Sequence, residues 1–212
     1  MQQIGAKWIS CDHTFKAAAN INGFQRKSDG KWIKQYKSVI CVLNEVCLVI
    51  QGQFTKTESI EEVWPMFVNL KLRFDKSRTK IDAICIDNCC KWADKLNLLF
   101  PGVPVKLDFF HAVQRFVKTI SKLNPFFREV SNDYGLVFRD NRDLGDKRTM
   151  DTPSCNVLLA NLEIFLLKWK NVKWRDTPVI SPKGTQQLKN IKKHIKKGCL
   201  SGIQPKCSTS KN

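Results

Sequence analysis

Carboxylates end two short apolar runs in the middle of the chain, and a histidine follows the second run. Ile84-Cys85-Ile86 leads into Asp87, and a later run ends at Asp108, with His111 three positions on. A third aspartate, Asp12, lies within an apolar segment near the start of the chain. A buried carboxylate is costly unless it is paired, hydrogen-bonded or bound to a metal. These residues therefore indicate either a functional site or a set of turn and cap residues.

Two carboxylates at neighbouring strand ends could hold divalent cations. If the first strand is central and the strand that ends at Asp87 pairs beside it, the side chains of Asp12 and Asp87 converge. Hard cations take oxygen ligands, and two such ions about 3.5–4 Å apart can clamp the attacking and leaving oxygens of a phosphodiester. The sequence therefore predicts a site for Mg²⁺ or Mn²⁺, with two metal ions held by Asp12 and Asp87.

Each of these residues also has a simpler interpretation. Asp87 with Asn88 could cap the following helix, and Asp108 could cap the next one. His111 could be an ordinary histidine on a helix surface. The cysteine pair after Asn88, taken with Asp108 and His111, matches no standard zinc spacing, so the sequence does not predict a zinc site.

Three strands followed by alternating helices and strands would position these residues. The predicted strands are 7–21, 37–44, 47–55, 81–86 and 103–107. The predicted helices are 59–74, 91–100, 109–123, 155–170 and 186–197. This order favours an α/β fold with a mixed five-stranded sheet flanked by helices. Pro65 should kink the first helix or move its start, and the charged residues 131–154 read as a loop or an insertion.

The charge of the chain favours a polyanionic partner. The net charge is +17, and residues 177–212 contain eight lysines and no acidic residue. Neutralisation of phosphates by such residues is the main sequence-independent term in nucleic-acid binding. The predicted DNA-binding residues belong to the last helix and are Lys189, Lys192, Lys193, Lys196 and Lys197. A solvated helix face is the alternative for these lysines, and the same run could act as a nuclear-import signal.

Composition also bears on location. No apolar run approaches the roughly 18 residues that a membrane span needs, and the N-terminus lacks the apolar segment of a signal peptide. There are nine cysteines, and the odd number without a CxxC pair predicts reduced thiols. We therefore expect a nuclear, or nuclear and cytoplasmic, protein that is neither secreted nor bound to a membrane.

Three segments of the chain resemble the catalytic domains of DDE transposases. They are CDHTFK around Asp12, CIDNCCKW around Asp87, and VKLDFFHAVQRF, which contains Asp108 and His111. The last segment resembles the C/DxxH motif of eukaryotic cut-and-paste transposases, which include Mutator-like, hAT and Kyakuja-Dileera-Zisupton elements. The resemblance covers nearly the whole chain and implies the RNase H-like fold. It implies that Asp12 and Asp87 are the first two catalytic carboxylates, and that Asp108 and His111 are an accessory pair.

The resemblance also implies a division of the chain. Residues 1–123 would form the RNase H-like core, residues 124–181 a helical insertion, and residues 182–212 a lysine-rich helix that leads toward the third acid. The family carries a glutamate there, whereas no acidic residue follows Asp176 in this chain. Glu163 does not resemble that position. The expectation is therefore a transposase fragment or remnant with weak or absent cleavage activity.

The chemistry implied by the resemblance is metal-assisted hydrolysis of a DNA phosphodiester, followed by strand transfer through the 3′-hydroxyl. DNA is the implied partner, and a homo-oligomer is a further implication. The alternative is a non-catalytic DNA-binding remnant, in which the lysine-rich helix carries the function. A 3′–5′ exonuclease of the same fold would need further acids late in the chain, and the acid-free tail argues against it.

Overall fold

The structure is a computed structural model that describes residues 6–15, 24–26, 28–30, 32–34, 36–139 and 153–202. Its strands are β1 (Trp8–Thr14), β2 (Phe24–Arg26), β3 (Trp32–Lys34), β4 (Ser38–Leu43), β5 (Val49–Thr55), β6 (Ala83–Ile86), β7 (Val105–Leu107), β8 (Lys173–Trp174) and β9 (Thr177–Pro178). Its helices are α1 (Ile60–Lys76), α2 (Cys89–Leu99), α3 (Phe109–Val117), α4 (Phe127–Leu136), α5 (Cys155–Trp169) and α6 (Pro182–Lys196).

A mixed five-stranded sheet carries the strands in the order β5-β4-β1-β6-β7. The central strand β1 pairs antiparallel with β4 and parallel with β6, and β5 pairs antiparallel with β4. Helices flank the sheet and continue after its fifth strand in sequence, β7. The predicted fold class is therefore confirmed, and the layout is consistent with an RNase H-like fold.

The described chain forms two compact units. The first unit comprises residues 6–105 and the second comprises residues 106–202. In the first unit, buried and half-buried residues alternate along β4 and the first half of β1, whereas all four residues of β6 are buried, as expected for a strand covered on both faces. Trp92 of α2 is 1% exposed, and its ring meets that of Phe67 of α1 edge-on at 6.1 Å between centroids. These aromatic rings fill the layer between the two helices and β1.

The start of α1 shows how local sequence determines a helix boundary. The Ser59 hydroxyl accepts a hydrogen bond from the Glu62 backbone N–H, which satisfies one of the unpaired donors of the first turn. The Glu62 carboxylate in turn accepts from the N–H groups of Lys56 and Thr57, at 2.6 and 2.7 Å. Pro65 lies inside the helix, so it does not move the start of the helix, and the other predicted effect, a kink, stays a prediction. The cap at Ser59 holds the start in place.

Aromatic side chains form the core of the second unit. Phe116 of α3 lies 4.3 Å from the Tyr134 ring of α4 and 5.6 Å from the Phe165 ring of α5, measured between centroids. Helix α6 joins the same core through Gly184, where an added Cβ would lie 2.9 Å from Thr119 Oγ1. Glycine is therefore required for the close approach of α6 to the end of α3.

Several predicted boundaries differ from the structure. The first strand ends at Thr14, and residues 16–21 of the predicted strand lie outside the described residues. Helix α4 covers residues 127–136, so part of the predicted loop at 131–154 is helical; residues 140–152 lie outside the described residues. The hairpins β2–β3 and β8–β9 were not predicted from the sequence.

The structure also bears on the predictions about membranes and thiols. Among the described residues, no helix is both long enough and apolar enough to cross a membrane. Cys47 is disulfide-bonded, so the prediction of reduced thiols is wrong for this residue.

Candidate active site

The paired strands β1 and β6 lead into two of the predicted carboxylates. The last paired positions of these parallel strands are Cys11 and Ile86. Asp12 and Asp87 each follow by one residue, so a continuation of this register would bring them next to each other. Cys11 and Ile86 are 1% and 2% exposed, whereas both aspartates are half-buried. Because side chains alternate along a strand, Asp12 belongs to the face of the sheet opposite to Cys11, and Asp87 lies in the turn after β6.

Cys41 extends this row of side chains on the other side of Asp12. The antiparallel register pairs Cys41 of β4 directly with Asp12. Burial raises the pKa of the Cys41 thiol, and the negative charge of Asp12 raises it further. A thiol on β4 therefore lies beside the carboxylate of Asp12 on β1. The second carboxylate, Asp87, follows directly after β6. Sequence analysis missed Cys41, because its place beside Asp12 depends on the strand register.

His13 lies next to Asp12 in sequence but belongs to the other face of the sheet. Its Nδ1 is 3.2 Å from the Ser38 hydroxyl, which is 2.8 Å from the Thr55 hydroxyl. Its ring contacts Trp92 edge-on, and its Nε2 is buried without a hydrogen-bond partner among the described residues. Burial lowers the pKa of His13, against the opposing effect of Glu58, Asp12 and Glu62. His13 is therefore a packed, neutral residue of β1 on the face of the sheet opposite to Asp12.

The two aspartates that precede helices have different local roles. Asp108 is the N-cap of α3, and its Oδ1 accepts a hydrogen bond of 3.1 Å from the backbone N–H of His111. The DxxH spacing thus builds a helix cap. At α2, the N-cap is Asn88, and its side chain makes no capping hydrogen bond. Capping therefore accounts for Asp108, whereas Asp87 lies one residue before the N-cap of α2.

In the first unit, Asp12 and Asp87 directly follow the paired residues Cys11 and Ile86; in the second, Asp108 accepts a hydrogen bond from the backbone of His111. Asp12 and Asp87 belong to no set of three or more potential metal ligands, among the described residues, whose ligand atoms all lie within 4.8 Å of one another. Two carboxylates fit as part of the oxygen shell of Mg²⁺ or Mn²⁺, which takes its other ligands from water and substrate phosphates. They are fewer than the three acids that the resemblance implies.

The predicted lysine surface lies along α6 in the second unit. Lys189, Lys193, Lys196 and Lys197 are exposed, while Leu188, Ile191 and Ile195 are buried on the opposite side of the helix. Lys192 is half-buried and forms an ion pair with Glu163 of α5. Four of the five predicted lysines are therefore exposed to solvent. The charge of the remaining one, Lys192, is partly balanced by Glu163. Glu163 is engaged in this ion pair on the surface.

A second basic feature precedes α6. In the β8–β9 hairpin, the Arg175 guanidinium lies 4.8 Å from the centroid of the Trp174 ring. Arg175 and Asp176 form the turn with positive φ angles of 48° and 62°, a conformation that is uncommon for residues other than glycine. Exposed Lys173 belongs to β8, and exposed Lys170 precedes the hairpin in sequence. An aromatic ring among cationic side chains is typical of surfaces that contact nucleic-acid bases and phosphates.

Comparisons with protein-family models and with curated protein sequences give no match to this chain.

Proposed function

We propose that this chain is a transposase-derived, RNase H-like domain that acts on DNA through a carboxylate pair formed by Asp12 and Asp87. The observation that supports the proposal is the parallel register of β1 and β6, in which Cys11 pairs with Ile86 and each of the two directly precedes one of the aspartates. The simpler interpretation, in which Asp87 and Asn88 together cap the following helix, stays the alternative, with Asn88 at the N-cap position. The resemblance in the three sequence segments gives this pair its proposed chemistry.

In this proposal the residues of the chain have distinct tasks. Asp12 and Asp87 would hold Mg²⁺ or Mn²⁺, which supplies Lewis-acid stabilisation of a phosphodiester when it is bound. The exposed lysines of α6 would hold the DNA backbone by contacts to phosphates. Asp108 would keep α3 in place as its cap, so the accessory role of the DxxH motif would act through the position of that helix.

We expect this 212-residue chain by itself to cleave DNA weakly or not at all. Groups that act as a unit in catalysis lose most of the rate when one member is missing, and the chain provides two of the three acids. The measurement is the conversion of supercoiled plasmid to the nicked form in Mn²⁺, with Asp87→Asn as the control. Equal, low nicking by both proteins is the expected result. Strong nicking by the wild type that Asp87→Asn abolishes would show that two carboxylates suffice.

A second candidate is a DNA-binding module without catalysis, and the exposed lysine face of α6 favours it. In that case Asp12→Asn and Asp87→Asn would leave both DNA affinity and divalent-cation binding unchanged. The two candidates therefore differ in what they predict for the carboxylates and agree on what they predict for the lysines. Nuclear localisation stays a prediction under either candidate.

A further inference from the structure

Two adjacent cysteines begin α2, directly after the turn that contains Asp87. Their Sγ atoms are 3.9 Å apart, so the sulfur atoms are not bonded to each other. Cys89 is 1% exposed, and Cys90 is exposed. The pair thus combines one thiol fixed in the protein core with one that solvent reaches.

The separation of the two sulfur atoms matches what a tetrahedral metal ion requires. Two thiolates at about 2.3 Å from one tetrahedral Zn²⁺ lie about 3.8 Å from each other. The observed distance between the sulfur atoms is 3.9 Å. The observed separation of the two thiols is therefore compatible with a single tetrahedral ion bound by both.

The helix N-terminus provides a positive partial charge beside the two thiols, whereas the burial of Cys89 opposes its ionisation in the absence of a metal. The first turn of α2 contains no acidic residue, although the N-terminus of a helix carries a positive partial charge that stabilises anions. Lys91 follows the pair in sequence. Thiolates at helix N-termini and near cationic side chains are the usual metal-binding and reactive forms of cysteine.

We propose that Cys89 and Cys90 are two thiolate ligands of a thiophilic divalent cation of the Zn²⁺ class. Each thiol gives its proton to solvent when the ion binds, and the remaining coordination positions are filled by other donors. This soft site is distinct from the carboxylate pair, which favours hard cations, and it does not depend on the proposed action on DNA. It departs from the sequence-based expectation, which looked for standard zinc spacings and found none.

The test is a titration of the full, reduced chain with Co²⁺, which reports thiolate ligands through a sulfur-to-metal charge-transfer absorption in the near ultraviolet. We expect this absorption in the wild type, reversal of it by Zn²⁺, and a fall of half or more in Cys90→Ser. Cys90 is exposed, so this variant should fold even if Cys89→Ser does not.

The matched control is Cys155→Ser, which removes a thiol from α5 and should leave the absorption unchanged. The absorption reports sulfur ligands only, so failure of the carboxylate proposal would not affect this result. An absorption that is absent in the wild type, or that falls by less than half in Cys90→Ser, would overturn the assignment of the thiol pair.

Discussion

A chain in which Lys189, Lys193, Lys196 and Lys197 are changed to glutamine is expected to bind duplex DNA ~100-fold or more weakly than the wild type at physiological salt. These four side chains are exposed on one helix, so one stretch of DNA backbone can contact several of them. Each phosphate contact releases counterions, which makes affinity fall with salt. Loss of four contacts should lower the slope of log affinity against log salt by about 3.5.

The control for this prediction is a variant with the same change in net charge at a different place. Lys56, Lys76, Lys80 and Lys91 are exposed lysines of the first unit, and their replacement by glutamine should have a much smaller effect. The measurement is fluorescence anisotropy of a labelled duplex over a range of salt concentrations. An equal loss of affinity in the two variants would show that net charge, rather than the surface of α6, determines DNA binding.

Phe116→Ala is expected to lower the free energy of unfolding by about 3–5 kcal/mol. The Phe116 ring is fully buried and contacts Tyr134 and Phe165 on two other helices. Its removal leaves a cavity where α3, α4 and α5 meet, which the surrounding rings can fill only in part. Urea unfolding of the full chain, followed by circular dichroism, measures the change.

Tyr134→Phe is the matched variant in the same cluster and should not lower stability. The Tyr134 hydroxyl is buried and has no hydrogen-bond partner among the described residues, and burial raises the pKa of this side chain strongly. Removal of a buried, unsatisfied polar group is neutral or stabilising, by about 1 kcal/mol. A large loss of stability in Tyr134→Phe would mean that the hydroxyl has a partner and that the aromatic cluster is organised differently.

The fold could be predicted from the sequence where the pattern is strong and continuous. The buried run before Asp87 and the alternating strands before residue 55 identify the sheet, because apolar periodicity is the main signal of secondary structure. Helix α4 was missed because residues 131–136 begin with three polar residues, Ser131, Asn132 and Asp133, and contain Gly135. This segment is helical because Val130 and Tyr134 are buried, and tertiary packing overrides local propensity.

The candidate site could be predicted only in part, for a related reason. Asp12 and Asp87 end or interrupt apolar strands, and this is visible in the sequence. Their placement after paired residues follows from the pairing of β1 with β6, which the strand order suggested. The position of Cys41 beside Asp12 depends on the strand register. The proposed role of Cys89 and Cys90 depends on the distance between their sulfur atoms. Neither quantity can be read from residue spacing in the sequence.

The most direct test of the central claim is the binding of Mn²⁺ to the wild type, Asp12→Asn and Asp87→Asn, measured by electron paramagnetic resonance of the free ion. Changes to residues outside the ligand set already cost about 10- to 100-fold in metal affinity, so loss of a direct ligand should weaken the site at least ~10-fold. Asp82→Asn, which changes an exposed aspartate before β6, is the control and should bind Mn²⁺ as the wild type does. We expect both site variants to lose this binding. Equal Mn²⁺ affinity in all four proteins would contradict a carboxylate centre at Asp12 and Asp87.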